Sequence, residues 1–282
     1  MMNARALAGG IFVLTGLIVL TGAARVDAAT FVVNSTADEV DLTPGDGVCL
    51  TASAACTLRA AVIEANALPG SDRITLPAGT YTLTLAGLEG PKAVVPFLGD
   101  LDITESVTIT GAGPSATIVE AGTTLAMAVG RVFDLTVRAD PGPAQGIVNI
   151  SGVTIRHGDS SSMGSVFDCG GGGIVNRRNL LNEAGILNLT DSVVTNNRAH
   201  NGGGLCNMSP GSATLLRTSV TDNVAFAAFD DSWGGGIKNM SGGSLFINGL
   251  KYHAGDTLTA PKGTRLIFEA REPATYFCTY HA

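Results

Sequence analysis

The sequence predicts an all-β chain, a parallel β-solenoid that opens on one short α-helix. Three observations lead there. The composition is turn-rich, with 37 glycines against 15% charged residues, and Val, Ile, Thr and Leu recur in the period-two alternation of half-buried strands. "GGGIVN" ending at Asn176, "GGGLCN" ending at Asn207 and "GGGIKN" ending at Asn239 line up without gaps, 31 and 32 residues apart; a near-constant period marks stacked units. Finally, "LDITESVTITGAG" (101–113), "VNISGVTIRHG" (148–158), "LNLTDSVVTNN" (187–197) and "TLLRTSVTDN" (214–223) share one pattern: a short alternating strand, a polar bend with Ser or Gly, and a second strand ending in Gly or Asn.

One such coil cannot bury its Val, Ile and Leu face alone. Stacking coils about 4.8 Å apart makes a continuous apolar column. The glycine triplets then let the main chain turn and approach the next coil closely, and Asn176, Asn207 and Asn239, in register, form a ladder of stacked amides. A sandwich of short antiparallel strands would not need a glycine triplet at a fixed period.

The 282 residues, 45% hydrophobic, suffice for a substantial core. A net charge of −7 and the lack of any basic cluster argue against nucleic acid or an anionic membrane as partner. Residues 1–28 read as a secretion signal: Arg5 supplies the basic end, "ALAGGIFVLTGLIVLTGAA" the apolar core, and "VDA" ending at Ala28 the cleavage point. An uncleaved anchor is the alternative, and no other stretch is long enough to span a bilayer. The protein is therefore expected to be secreted or at the cell surface. Residues 29–70 form a leading module, 71–250 the repeats, and 251–282 a tail in which the rhythm is lost: an irregular last coil, a cap, or the start of something truncated.

In an oxidising compartment Cys49 and Cys56 are close enough to bridge, which the loop-entropy model values at roughly 2–3 kcal/mol. Cys169, Cys206 and Cys278 remain, an odd number. After the bridge comes the helix. Thr57 is its N-cap, and Leu58, Ala61, Val62, Ala65 and Leu68 fall on one face, with Arg59 and Glu64 elsewhere. Laid over the end of the stack, that apolar face would cover unpaired strand edges.

"FVVNSTADEVD", "PGDGVC" and "CTLRAAVIEANA", within residues 30–67, resemble the CSLREAI domain, an N-terminal module of secreted bacterial proteins whose bodies are right-handed parallel β-helices. The GGG-I-x-N repeats resemble those of polymorphic outer-membrane proteins and the wider pectin-lyase-like class. The resemblance implies a right-handed solenoid, in a class that includes polysaccharide lyases and glycoside hydrolases. One departure stands out. The family's helix opens with Ser and, three residues on, Glu, a reciprocal capping box; here the positions are Thr57 and Ala60, and half the box is gone.

Carbohydrate chemistry needs two carboxylates at acid/base separation, or a carboxylate-bound Ca²⁺ facing a basic residue. Asp100 with Asp102, Asp230 with Asp231, and Arg156 with His157 are the candidates, and none forms a lyase or hydrolase signature. Asp38, Glu39, Asp41 and Asp46 could converge on Ca²⁺ without the ordered EF-hand pattern. Cys278 and His281 have a copper-protein spacing, with His253 upstream, but no methionine follows. N-x-S/T sites, among them Asn34, Asn188, Asn207 and Asn239, are expected by chance. The expected function is an adhesin-like scaffold that binds an extended partner such as an extracellular glycan or surface ligand. A polysaccharide lyase or glycoside hydrolase on the same scaffold, or a structural module truncated from a larger surface protein, are the alternatives. A flat wall of Asn, Ser and Thr would favour binding; an Asp cluster with Arg nearby would favour catalysis.

Overall fold

Each apolar residue that alternates inward along a strand meets its counterpart in the next strand of the same sheet. Phe31, Ile74, Ile109, Ile150, Leu189, Leu215 and Ile247 follow one another in parallel register, every one buried. The computed structural model describes residues 28–87, 98–137, 146–161, 170–177, 185–225, 235–240 and 243–248, together with the main chain of 250–252, 268–271 and 275–278. Those residues are mostly β, in three main sheets whose strands pair in parallel, with one α-helix.

The long sheet holds Thr30–Val32, Asp72–Leu76, Val107–Gly111, Ile147–Ser151, Ile186–Thr190, Ser212–Leu216 and Ser244–Ile247. A second, called here the asparagine sheet, holds Leu101–Ile103, Phe133–Leu135, Ile174–Asn176, Leu205–Asn207 and Ile237–Asn239. The third, the valine sheet, holds Gly79–Thr82, Thr117–Glu120, Thr154–Arg156, Val193–Thr195 and Ser219–Thr221. From Leu101 onward the chain visits asparagine, long and valine sheets in that fixed rotation. Leu101, Phe133, Ile174, Leu205 and Ile237 line the inside of the asparagine sheet, and Tyr81, Val119, Ile155, Val194 and Val220 that of the valine sheet. All are buried, and each such side chain contributes about 1.5–3 kcal/mol. Parallel pairing ends with Leu250–Tyr252, which runs antiparallel to Ser244–Ile247, and Phe268–Arg271 pairs antiparallel with Thr275–Cys278.

The four sequence segments that look alike do not occupy equivalent places. "LDITESVTITGAG" turns from the asparagine sheet into the long sheet, whereas the other three turn from the long sheet into the valine sheet. Both corners join two short alternating strands by a polar bend, so local pattern does not separate them. At the long-to-valine corner the chain turns through positive φ at Gly152, Asp191 and Arg217, and Asn248 takes the same conformation in the turn to the antiparallel Leu250–Tyr252.

In the asparagine sheet one inward column changes character along the stack. Ile103 and Leu135 are followed by Asn176, Asn207 and Asn239. Asn176 donates to Asn207 at 2.7 Å and Asn207 to Asn239 at 2.7 Å, and each also donates to the next corner's carbonyl, Gly185 and Gly211. Asn197 and Asn223 form a shorter ladder at 2.9 Å. The glycine triplets lie beneath these turns. A Cβ at Gly172 would sit 2.3 Å from the Arg198 carbonyl oxygen, and one at Gly203 2.4 Å from that of Val224.

Helix α1 spans Leu58–Ala67, and Thr57 Oγ1 accepts the Ala60 N–H at 3.1 Å. The Cys49–Cys56 disulfide closes immediately before it. The helix takes the turn of an asparagine-sheet strand, lying against Leu101–Ile103. Asn66 donates to the Asp102 carbonyl at 2.7 Å and accepts the Thr104 N–H at 2.9 Å. Arg59 donates to the carbonyls of Gly99 and Asp100. Arg59 and Glu64 are therefore not on a solvated face: both are buried, because their side chains supply the hydrogen bonds that a neighbouring strand would otherwise make. Glu64 accepts the N–H groups of Gly45 and Gly47, fastening the loop "PGDGVC" to the helix.

Candidate functional site

The outward positions of the long sheet form two parallel rows. Arg73, Thr108, Asn149, Asn188 and Thr214 make one; Thr75, Thr110, Ser151, Thr190 and Leu216 make the other. None of the ten is buried, and one carries a charge. Asn188 donates to Asn149 at 2.9 Å and Asn149 to Thr108 at 3.2 Å, which orders the amides along the row. Strand spacing sets the rungs about 4.8 Å apart, and alternate residues along a strand are about 6.6 Å apart. The result is a grid in which hydroxyl and amide groups fill eight of the ten positions, with Arg73 and Leu216 in the other two.

A carboxylate cluster lies on the outer side of the asparagine sheet. Asp102 and Asp134 are register partners, and with Asp100 they bring three carboxylates within 4.8 Å of one another, the one such group among the described residues. Two arginines face it. Arg131 donates to Asp134 at 2.5 Å and lies 3.4 Å from Asp100; Arg177 reaches Asp134 at 3.0 Å, and Thr136 donates to it at 3.1 Å. Burial by itself would raise the Asp134 carboxyl, but the two guanidinium groups and these hydrogen bonds hold it below its ordinary value. A resident cation does not fit here, since positive charge already stands against Asp134 from two sides.

The sign of the Asp134 shift predicts a pH effect. Its folded pKa is depressed, so the stabilisation is full above the unfolded value, about 3.9, and is lost as pH falls through the folded value. Asp134→Asn is expected to shrink the difference in urea midpoint between pH 7 and about pH 3; an unchanged difference would contradict this placement. Arg177 escapes sequence reasoning because it lies 43 residues from Asp134; Arg131 is only three residues from Asp134, but nothing in the local pattern marks the two as partners. The shared apolar-Asp-apolar centres of "LDI" and "FDL" are the one sequence signal.

Arg156 and His157 both turn toward Glu120 in the coil before. Arg156 donates to Glu120 at 2.7 Å; His157 Nδ1 lies 3.0 Å from the Gly122 carbonyl and 3.5 Å from Glu120. Thr82 donates to the other Glu120 oxygen at 2.8 Å, so this buried acid ties three successive strands of the valine sheet. Asp230 and Asp231 lie outside the described residues, as do His253, His281 and the Cys278 side chain.

Asp38, Asp41 and Asp46 are not gathered around one point. Asp38 pairs with Arg59 at 2.6 Å and accepts the N–H groups of Thr84 and Leu85. Asp41 accepts those of Thr43 and Leu50, and Asp46 that of Val48. Glu39 accepts Ser53. Cys206 is disulfide-bonded, and Cys49 is joined to Cys56; Cys169 and the Cys278 side chain lie outside the described residues. Among the described residues no helix is long and apolar enough to cross a membrane.

No protein-family model, curated protein or solved structure matches the chain.

Proposed function

We propose that the chain is a secreted or cell-surface right-handed parallel β-helix with a CSLREAI-like first coil capped by α1, and that it binds an extended, neutral extracellular glycan along the outer face of the long sheet. The observation that carries this reading is the double row from Arg73 and Thr75 to Thr214 and Leu216. Hydroxyls and amides repeated on a fixed grid can hydrogen-bond a polymer that itself repeats, and one charge among ten positions selects against strongly charged chains. Handedness follows from the rule that parallel crossovers are right-handed in nearly all cases. The fixed rotation through three parallel sheets supports the solenoid, and the hydrogen bonds from Asn66 and Arg59 to the first asparagine-sheet strand support the cap. The disulfides are in keeping with export.

A lyase or hydrolase is the second reading, favoured by the Asp100–Asp102–Asp134 cluster with Arg131 and Arg177 beside it. It ranks lower because Asp100, Asp134 and Arg131 are buried and the arginines already neutralise Asp134. Incubating the exported protein with a panel of polysaccharides, with and without Ca²⁺, separates the two. Retention of a neutral polymer without new reducing or unsaturated ends is the expected result; new ends would transfer the function to the cluster.

A further inference from the structure

Asp72 is a buried acid in surroundings that call for a positive charge. It opens the strand Asp72–Leu76 and is 1% exposed. Its Oδ1 accepts the main-chain N–H of Ala29 at 2.7 Å, while Oδ2 is buried and has no hydrogen-bond partner among the described residues. The charge that acts on it is a second buried acid, Glu64, and burial and Glu64 both push the Asp72 carboxyl up, against the Ala29 hydrogen bond. No cationic side chain is among those influences. A buried carboxylate near another, without a cation, is an unfavourable arrangement.

The residue bonded to Asp72 is the one that follows "VDA". Ala29 is pinned, its carbonyl accepting the Arg73 N–H at 2.9 Å, whereas Ala28 is exposed, so the Ala28–Ala29 bond stands at the boundary between solvent and fold. We propose that Asp72 is the receptor for the mature N-terminus: a leader peptidase hydrolyses the Ala28–Ala29 bond, and the α-ammonium group of Ala29 then docks on Asp72 as a buried ion pair. Water divides across the bond. Its oxygen goes to the Ala28 carbonyl, which leaves as a carboxylate on the leader, and its two protons end on the Ala29 nitrogen, converting an amide with one N–H into an ammonium with three. The nitrogen is already at charge-assisted hydrogen-bonding distance from Oδ1, and the added donors can also serve Oδ2. Removal of the leader thereby completes the first coil.

The inference rests on the export reading, and its test keeps the two apart. The exported protein is sequenced from its N-terminus. Chains beginning at Ala29 and at Val26 are compared in stability, each also as Asp72→Asn, and the α-amine of the Ala29 chain is titrated by NMR. The exported protein is expected to begin at Ala29. The Ala29 chain should have a folding equilibrium about tenfold or more above that of the Val26 chain, a gain that disappears with Asp72→Asn, and its amine should titrate about one unit or more above the ordinary 7.7–8.0. An exported chain beginning at another residue, an amine with an ordinary pKa, or equal stability of the two chains overturns the proposal. If Asp72→Asn does not fold, the amine titration on the native sequence decides. Absence of the protein from the extracytoplasmic fraction is the failure of the export reading; an ordinary amine on an exported chain beginning at Ala29 is the failure of this one. Polysaccharide enters none of these measurements.

Discussion

Replacing Arg59 by alanine is expected to destabilise the protein by about 3–5 kcal/mol, the cost of leaving a buried charge without its partner. Arg59 and Asp38 are 2% and 3% exposed in their side chains. The guanidinium donates to both Asp38 oxygens and to two carbonyls at the edge of the asparagine sheet. The same Asp38 carboxylate accepts two N–H groups just after the first valine-sheet strand. One ion pair thus fastens the leading module to two sheets. Arg59→Lys should recover only a fraction, because an ammonium cannot reproduce the forked geometry. The double variant Arg59→Met, Asp38→Asn should lose less than the sum of the single losses. Denaturant midpoints for these variants, together with Arg59→Met and Asp38→Asn singly, check this; a loss for Arg59→Ala below about 1 kcal/mol would place the pair at the level of a surface salt bridge.

Gly158→Ala should cost about 3 kcal/mol or more, at the upper end for overpacking. The added methyl carbon would lie 1.8 Å from the carbonyl oxygen of Gly172 and 3.1 Å from the Val132 nitrogen. That carbonyl accepts the Val132 N–H, so relief would require moving main chain in two neighbouring coils. Gly185→Ala, where the closest atom is 3.2 Å away, should lose much less. Thermal unfolding of the two variants reads the difference, and equal losses would show that the coils do not approach as closely as described.

The repeat is legible in the sequence because glycine and asparagine recur at the corners from Ile174 onward, where Asn176, Asn207 and Asn239 stack in register. The spacing between equivalent asparagines is 31 and 32 residues in one sheet but 26 at the Asn197–Asn223 corner. Strand register is kept while the connections absorb the difference, so a constant period can be read only where connection lengths happen to match. The bridge between Cys49 and Cys56 and the Thr57 cap are local, and local spacing suffices for them. Sequence sets Arg59 and Glu64 apart from the apolar face and goes no further, because helical periodicity reports that face and is silent about what covers the other. Here it is a sheet edge and a glycine loop. The Asp102–Asp134 pairing depends on which turn of the chain enters which sheet, and two corners with the same strand–bend–strand pattern conceal that. The rows on the long sheet were visible as alternating Thr, Asn and Ser, but their alignment into a grid needs the register.

That grid is the centre of the functional account, and a binding isotherm tests it most directly. The exported protein and its Thr110→Lys, Thr190→Lys variant are compared for retention on the polysaccharide that the native protein holds best. Both positions point outward in the same row, so the variant should unfold at the same temperature as the native protein. The account predicts that polymer affinity falls at least about tenfold, a loss of roughly 1.4 kcal/mol. Unchanged affinity in a variant that is folded and as stable as the native protein would contradict it.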